Sequence, residues 1–356
     1  MSSRISRFFR GLLCFAVFLV GLCGGCWAIR EALPFPDVQL VKVKLDHLAE
    51  HQDEYDTLFF GSSRIYYQVI PPLFDRVAAE HGLPVRSFNA AIAGMRPPED
   101  AYYLDRILRN PPKHLRWVFI ELAGLRTIVD PEKVGTMRLV YWHDWPRLWA
   151  LFRRAMEMHP DVKKRKWSKQ IEPRMEFLGE FVQHLSPFVQ NETNLGRGEM
   201  LTSRLSRAYA HPGPNPYGTL GEDLSGWVET GRGEDMVGEP LATYEKALAE
   251  RQVQKARRDP GDPISQQALE DMIAKIEKLG ATPVLVLPPT TSKRNFVPSP
   301  EREKKTITLD FCDLEKFPEL YEHRYRIDTD HLNTAGSKVF TRMLVERWAE
   351  EVKRRR

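Results

Sequence analysis

The sequence predicts an α/β fold in which helices cover both faces of a parallel sheet. Short apolar runs recur along the chain, and most of them are followed by a segment with apolar residues at helical spacing. The runs are nearly continuous rather than alternating. Strands buried on both faces have this continuous pattern, which is typical of parallel sheets covered by helices.

The first predicted strand and helix meet at a corner of unusual composition. The apolar run at 58–60 predicts a buried strand that ends at Gly61, and apolar residues at helical spacing then predict a helix. Ser62, Ser63 and Arg64 stand between the two elements. Serines at such corners usually cap the helix, so these residues by themselves predict a turn with a serine cap.

The same strand–helix pattern continues on both sides of a long interval. Further strands are predicted at 85–94, 116–122 and 282–289, and further helices at 97–110, 267–280 and 333–352. Prolines and acidic residues begin the helix at 97–110, and glycine ends the amphipathic helix at 267–280.

Between the third and fourth predicted strands the pattern is lost. The interval is rich in Trp, Arg, Pro and Gly, and residues 210–223 have the composition of a loop. Because it is too long for a plain connection, we expect a partly helical insertion over 127–265. Ligands of α/β sheets bind at the carboxyl ends of the strands, so we expect a cap over that edge. A flexible exported loop without a role is the alternative.

The N-terminus predicts a membrane anchor. Residues 11–28 carry no charge, and 18 residues of helix span about 27 Å, close to the thickness of a bilayer core. Arg4, Arg7 and Arg10 precede this segment, which predicts a cytoplasmic N-terminus and a periplasmic or extracellular main domain. A cleaved signal peptide and a lipoprotein processed at Cys26 are the alternatives, and all three export the remainder.

These observations predict a division of the chain into five segments. They are the anchor at 1–30, a linker and lead-in at 31–55, the first part of the core at 56–126, the insertion at 127–265, and the second part of the core at 266–356.

Composition excludes several classes of function. Of the 356 residues, 42% are hydrophobic, which argues against disorder, and 52 basic against 48 acidic residues do not indicate a nucleic-acid binder. Three of the four cysteines lie in the apolar segment, so neither a disulfide framework nor a zinc site is predicted, and we expect no cofactor. The basic run at 162–169 predicts a solvated helix face, with contact to anionic lipid as the alternative.

A second polar constellation lies near the C-terminus, in "YRIDTDHLNTAG" (325–336). Asp328 and His331 are three residues apart, directly before a helix that Asn333 or Thr334 caps. A serine hydroxyl becomes a useful nucleophile only when an oriented base takes its proton. Asp328 can fold back onto the imidazole, whereas the immediate neighbour Asp330 is expected to point away. By itself such a pair also fits a solvated loop.

Other histidines have no comparable neighbourhood. His143 and His211 are therefore expected to be packing or surface residues.

In order and spacing these blocks resemble the SGNH/GDSL hydrolase superfamily. Ser63 matches the nucleophile that follows the first strand, although Ser62 replaces the aspartate of the Gly-Asp-Ser block. Asp328 and His331 match the Asp-x-x-His block before the last helix. The resemblance implies a flavodoxin-like three-layer sandwich of SGNH type, in which the N–H groups of Ser63 and Gly94 hold the oxyanion.

The Gly-Ser-Ser opening behind an anchor is similar to the membrane-anchored branch of that superfamily, which includes the teichoic acid D-alanyl transfer protein and polysaccharide O-acetylation proteins. The resemblance implies a serine-dependent O-acyl esterase or acyltransferase acting on an exported cell-envelope polysaccharide or related polymer. The implied partners are an acylated glycan or acyl donor, a membrane-bound O-acyltransferase and the inner membrane.

One block departs from the family pattern. The family has an asparagine after the third strand that points into the oxyanion hole, and here that strand ends "FIELAGLRT" (119–127). Arg64, Asn89 and Arg126 are candidates to support the oxyanion or the substrate in its place. A catalytically inactive scaffold or glycan-binding module of the envelope is the alternative function.

Overall fold

The computed structural model describes residues 2–33, 35–36, 38–157, 166–194, 220–221, 223–229 and 236–355. The chain divides into two compact units. The helical unit comprises residues 1–38 and 127–213, and the sheet unit comprises residues 39–126 and 214–356. Most of the predicted loop at 210–223, including His211, lies outside the described residues, as does the part of the basic run before Lys166.

The helices in chain order are α1 (Ser2–Ala32), α2 (Gln39–Glu50), α3 (Ser63–Tyr66), α4 (Pro71–Glu80), α5 (Glu99–Leu108), α6 (Met137–Val140), α7 (Trp145–Met156), α8 (Ile171–Val182), α9 (Leu185–Thr193), α10 (Glu239–Val253), α11 (Pro263–Lys278), α12 (Pro300–Lys305) and α13 (Thr334–Arg355). The strands are β1 (Thr57–Phe60), β2 (Ser87–Asn89), β3 (Trp117–Glu121), β4 (Arg257–Asp259), β5 (Thr282–Leu287), β6 (Arg294–Phe296) and β7 (Ile307–Asp310).

A five-stranded parallel sheet forms the centre of the sheet unit. Its strand order is β2-β1-β3-β5-β7, and every neighbouring pair is parallel. Numbered among themselves in chain order, these strands run 2-1-3-4-5, an order that recurs in doubly wound α/β sheets. The predicted α/β class with a parallel sheet is therefore confirmed. The remaining two strands, β4 and β6, form a separate parallel pair.

Aromatic side chains fill both faces of the sheet. Phe59 of β1 packs on Phe74 of α4 with ring centroids 4.8 Å apart, and Phe74 stacks on Trp348 of α13 at 5.5 Å. Successive residues of a strand point to opposite faces. Phe60 accordingly packs on Tyr103 of α5, at 5.6 Å, on the other side. Helices therefore cover both faces, as the continuous apolar runs predict.

Several elements of the sheet unit are absent from the sequence-based prediction, namely α2, α12 and the short strands β4, β6 and β7. The edge strand β7 has only four residues, which alternate between buried and half-buried, so its pattern is too short to stand out. Residues 39–50, predicted as part of a linker and lead-in at 31–55, form α2 instead. This helix buries Val41 and Leu48 together with Lys44, and the lysine hides the apolar stripe in the sequence.

The helical unit contains α1 and the described part of the predicted insertion up to residue 194. In α1, the segment Arg7–Arg30 is long and apolar enough to span a membrane, which agrees with a membrane-spanning segment there. Which side of the membrane its N-terminus faces stays a prediction. Residues 137–156 and 171–193 are largely helical, as expected. That the insertion covers the carboxyl edge of the sheet also stays a prediction.

Candidate active site

The turn after β1 presents Ser63 at the carboxyl end of the strand. Ser62 is the N-cap of α3, because its Oγ accepts a hydrogen bond from the N–H of Arg64 at 3.4 Å. Glycine is required at position 61, since a Cβ there would lie 2.5 Å from Oε2 of Glu121. The turn thus assigns the cap to Ser62 and leaves the half-buried Ser63 hydroxyl available for another partner.

The loop before α13 is closed by its own backbone. Arg326 and Leu332 form an antiparallel bridge, and the N–H of Ile327 donates to the carbonyl of His331 at 2.9 Å. Asn333 caps α13, since its Oδ1 accepts from the N–H of Gly336 at 2.9 Å. Of the two candidate caps, the structure therefore selects Asn333, which fixes His331 two residues before the cap.

Ser63, His331 and Asp328 form a continuous hydrogen-bonded chain, although 268 residues separate the first two. Oγ of Ser63 lies 2.7 Å from Nε2 of His331. On the other side of the ring, Nδ1 of His331 lies 2.8 Å from Oδ2 and 3.0 Å from Oδ1 of Asp328. These are the distances that a serine nucleophile, a base and an orienting carboxylate need.

The protonation states follow from the partners. A carboxylate only accepts, so Nδ1 of His331 carries the hydrogen and Nε2 accepts the Ser63 hydroxyl proton. Burial by itself raises the pKa of Asp328, but the hydrogen bond and charge of His331, and the N–H groups of Asp330 and His331, lower it to about 2. Asp328 is therefore charged at any pH near neutrality.

Asp330 and Asp328 have different hydrogen-bond partners. Its carboxylate accepts a hydrogen bond from the hydroxyl of Thr290, and its carbonyl accepts one from Gln68 at 3.0 Å. Asp328 accepts instead from the N–H groups of Asp330 and His331, at 2.7 and 2.8 Å. The expectation that Asp330 points away from the imidazole is confirmed, and Asp328 is the aspartate that the imidazole contacts.

Arg326 is a residue of this loop that sequence reasoning missed. Its guanidinium is fully buried and donates to the carbonyls of Thr329 (2.6 Å), Asp328 (3.3 Å) and Pro289 (3.3 Å). Burial lowers its pKa, while Tyr244 and other acidic groups raise it. Arg326 fastens the Asp328 loop to the segment that follows β5. A single arginine in a polar loop gives no signal of this in the sequence.

Glu121 is the last residue of β3. In the SGNH/GDSL pattern an asparagine follows this strand. Glu121 is buried, and its carboxylate accepts hydrogen bonds from the N–H and Oγ of Ser62 at 2.6 and 3.0 Å. It also accepts from Nε and Nη2 of Arg64, at 2.8 and 2.6 Å. Burial by itself lowers the pKa of Arg64, but the charge and hydrogen bonds of Glu121 raise it by more, so the net pKa is raised and the guanidinium stays charged.

Glu121 and Arg64 thus form a buried ion pair beside Ser63. An ionised carboxylate has no hydrogen to donate, so Glu121 cannot replace the asparagine directly. Arg64 supplies positive charge at the same place, on the residue next to Ser63. Sequence reasoning named Arg64 as a candidate but missed Glu121, whose only signal is an acidic residue ending an apolar strand.

The Asn89 amide is hydrogen-bonded to backbone groups of the chain. It is fully buried, and its Nδ2 lies within hydrogen-bond distance of the carbonyls of Ile65, Tyr66 and Val69 at 3.0 to 3.2 Å. Its Oδ1 accepts from the N–H of Ala91 at 3.1 Å. Asn89 therefore holds the end of α3 in place, and the geometry does not support a role in the oxyanion hole.

Gly94 lies in the exposed turn after β2, with φ of 71°. This left-handed conformation favours glycine. The N–H of Ile92 donates to the carbonyl of Gly61 at 3.0 Å, so this turn is attached two residues before Ser63.

A buried lysine supports the same turn. Nζ of Lys44 donates to the carbonyls of Asn89 and Ala91 at 2.6 and 2.7 Å, and it lies 4.5 Å from the ring centre of Tyr66. Burial lowers the pKa of Lys44 well below its usual value. No sequence pattern predicts this contact, because Lys44 lies in the segment that was predicted to be a linker and lead-in.

Arg126 and Arg96 are both exposed, and they lie close to each other. The N–H of Arg126 donates to the carbonyl of Pro97 at 2.8 Å, which brings the two arginines together. Desolvation of the partly covered Arg96 guanidinium lowers its pKa, and the charge of Arg64 lowers it further, with a smaller contribution from Arg126. Arg126 stays a candidate substrate contact, and Arg96 is a further one that the sequence did not single out.

The ring of Tyr67 lies beside the imidazole. The ring of Tyr67 meets that of His331 edge to face at 6.4 Å, and the indole N–H of Trp227 donates to the carbonyl of Tyr67 at 3.1 Å. Trp227 reaches this place because Gly226 approaches β2 so closely that a Cβ would lie 2.4 Å from the carbonyl oxygen of Asn89.

Other reactive side chains of the described residues do not form a competing site. Cys312 is buried, and burial raises the pKa of its thiol to about 12, so it is not a thiolate at neutral pH. His143 is also fully buried, in agreement with a packing role. Among the described residues, no group of three or more His, Cys, Asp or Glu side chains is arranged to hold a metal ion.

No protein-family model matches the chain, and no curated protein matches its sequence. The resemblance to SGNH/GDSL hydrolases therefore rests on the short stretches of sequence around Ser63, Gly94 and Asp328–His331.

Proposed function

We propose that this protein is a serine-dependent O-acyl esterase or acyltransferase of the SGNH type. The observation that carries the proposal is the hydrogen-bonded chain from Ser63 through His331 to Asp328. Residues so distant in sequence meet at the carboxyl edge of a parallel sheet, where ligands of such folds bind.

In the proposed reaction, Oγ of Ser63 attacks the carbonyl carbon of an acyl ester while Nε2 of His331 takes the hydroxyl proton. The imidazolium is stabilised by Asp328, and it returns its proton to the leaving alkoxide, which departs as an alcohol. Water or a second sugar hydroxyl then attacks the acyl-serine with His331 again as the base. Water gives net hydrolysis, and a sugar hydroxyl gives net acyl transfer.

The developing oxyanion is assigned to the backbone N–H groups of Ser63 and Gly94, as the resemblance implies. Removal of one oxyanion donor typically costs about 10²–10³ in rate, so the missing asparagine needs a substitute. The Arg64 guanidinium supports this role, because Glu121 orients it beside Ser63 and keeps it charged.

The substrate is proposed to be an exported cell-envelope polysaccharide or related polymer. In this proposal α1 is a single-pass anchor with its N-terminus in the cytoplasm, and the sheet unit faces the periplasm or cell exterior. The exposed Arg96 and Arg126 are candidate contacts to the polymer, and a membrane-bound O-acyltransferase is the proposed source of the acyl group.

The alternative function is an inactive scaffold or glycan-binding module of the envelope. The observation that favours it is Glu121, because an acceptor-only side chain ends the strand after which the family places a donor. The two proposals differ in whether Ser63 is nucleophilic.

The test is covalent labelling of the full chain, in detergent, with a serine-reactive fluorophosphonate. We expect wild type to be labelled at Ser63, Ser63→Ala to lose labelling, and the matched control Ser62→Ala to retain it. Mass spectrometry of the labelled peptide locates the adduct. Absence of labelling in wild-type protein that melts cooperatively contradicts the enzyme proposal and favours the scaffold.

A further inference from the structure

Apolar side chains form exposed stripes on the helices of the helical unit. On α7, Trp145, Trp149, Phe152 and Met156 follow one another at helical spacing, and Trp145 and Trp149 are 65% and 59% exposed. The core-facing side of the same helix is separate and consists of Leu148, Leu151 and Ala155, which are buried. The exposed stripe is therefore a second apolar face in addition to the packed one.

The neighbouring helices have similar stripes. On α8, Ile171, Met175 and Val182 are exposed, with Met175 at 64%, and on α9 Leu185 and Val189 are exposed. The three helices that carry the stripes pack together through aromatic rings. Trp145 of α7 packs on Phe188 of α9 at 4.7 Å, and Phe152 of α7 packs on Phe181 of α8 at 5.4 Å. We call the exposed residues of α7, α8 and α9 the apolar platform.

The platform is attached to the end of the apolar helix α1. Arg30 forms an ion pair with Glu192 at 2.6 Å, and Nδ2 of Asn194 donates to the carbonyl of Cys26 at 2.8 Å. Cys26 and Arg30 belong to the last turns of the segment that is long enough to span a membrane. If α1 spans a bilayer, the end of α9 must therefore lie at the level of the lipid headgroups.

Basic and indole side chains next to the platform fit a headgroup region. Trp167 is 64% exposed, and the guanidinium of Arg174 lies 4.6 Å from its ring centre. Lys166 and Lys169 are exposed on either side of this tryptophan. Tryptophan is enriched at the membrane interface, where lysine and arginine extend toward the phosphates of anionic lipids.

We propose that the apolar platform lies on the membrane surface, at the same side of the bilayer as the C-terminal end of α1. The occupant of this surface is lipid. Amphipathic helices lying in the interface bury their apolar faces about 5–10 Å deep, which covers side chains such as Trp149 and Met175. The inference rests on α1 spanning the membrane, as in the proposed function, and does not depend on catalysis at Ser63.

The position of the platform can be measured by depth-dependent fluorescence quenching of the full chain in lipid nanodiscs that contain anionic lipid. A fluorophore is attached to Trp149→Cys or Met175→Cys, in a chain whose Cys14, Cys23 and Cys26 are replaced by serine. The matched control on the polar side of α8 is Glu176→Cys, since this residue is exposed and lies about 100° around the helix from Met175. A probe at Val17→Cys reports whether α1 itself lies in lipid.

We expect nitroxide-labelled lipids to quench the probes at positions 149 and 175 several-fold more than the one at 176. Aqueous iodide should show the reverse order. The proposal is overturned if all three probes respond alike to iodide, or if positions 149 and 175 are shielded only in discs that hold two copies, which makes a second copy the occupant. A probe at position 17 that avoids lipid overturns the anchor, and with it this inference, but leaves the labelling result at Ser63 unaffected.

Discussion

Two histidine networks in this protein have similar hydrogen-bond lengths and opposite chemical character. In the sheet unit, His331 lies between the Ser63 hydroxyl and the Asp328 carboxylate, and its side chain is 26% exposed. In the helical unit, Nε2 of His143 lies 2.8 Å from Nδ1 of His184, and Nδ1 of His143 contacts a backbone carbonyl at 2.5 Å. His143 is fully buried, and Trp142 stacks on its ring at 3.6 Å.

The difference shows what distinguishes a candidate base from a structural histidine. Burial and the neighbouring charge of His184 together lower the pKa of His143 to about 3. Because His143 is fully buried, no reactant can reach it, and its partners are a backbone carbonyl and a second histidine rather than a carboxylate. His331 has an orienting carboxylate on one nitrogen and a hydroxyl on the other, at a site that solvent reaches. Short distances alone would not separate the two.

The largest expected effect comes from replacing each histidine by glutamine. We expect His331→Gln to lower turnover of an activated acetyl ester by about 10⁴–10⁶, because the base is lost. His143→Gln should leave turnover within a few-fold and destabilise the helical unit by about 1–3 kcal/mol, because buried hydrogen bonds are disturbed. Ester hydrolysis and thermal melts measure the two effects. Equal losses of activity in both variants would contradict the assignment of the base.

Replacing the aspartates separates orientation of the imidazole from local charge. Asp328→Asn should lower turnover by about 10⁴, as loss of the orienting carboxylate does in a serine protease. Asp330→Asn should cost much less, since its carboxylate contacts Thr290. The measurement is ester hydrolysis by both variants, with folding checked by thermal melts. If Asp330→Asn is the inactive variant, the assignment of the triad is wrong.

A smaller effect is expected from replacing Arg326, which holds the Asp328 loop by donating hydrogen bonds to the carbonyls of Asp328 and Thr329. Arg326→Met should lower kcat by about 10²-fold with little change in KM, because misplacement of a catalytic group by about 1 Å has costs of this size. Arg326→Lys should recover part of the loss if one buried donor is enough to hold the carbonyl of Thr329. No recovery by lysine together with a collapsed melt would indicate general unfolding instead, and a rise in KM with kcat unchanged would contradict the positioning role.

The smallest effect concerns pH and the buried histidine pair. In the unfolded chain His143 binds a proton near its ordinary pKa of 6.5, whereas in the folded protein it stays neutral down to about 3. Between these values the unfolded state binds more protons, so the free energy of unfolding falls as the pH drops through this range. At about pH 5 the loss is about 2 kcal/mol relative to neutral pH. Thermal melts of wild type and His143→Gln at both pH values should show a steeper loss in wild type.

Local patterns were enough to predict much of the fold and to single out Ser63, His331 and Asp328, which the structure joins by hydrogen bonds. Continuous apolar runs predict buried parallel strands because both faces of such strands are covered. The cap at Ser62 and the pairing of Asp328 with His331 involve residues at most three positions apart, so the sequence itself encodes their geometry. The edge strand β7 escaped prediction because it has only four residues, and α2 escaped it because Lys44 interrupts the apolar stripe.

What surrounds these side chains was decided by the tertiary structure. Glu121 meets Ser62 across 59 positions of the chain, Lys44 meets Asn89 across 45, and Ser63 meets His331 across 268. A side chain's hydrogen-bond partner in space is set by which strands pair and which loops they bring together, and a linear pattern holds no record of that. The sequence therefore named Asn89 and Arg64 as equivalent candidates, and only the fold placed Asn89 in the core and paired Arg64 with Glu121.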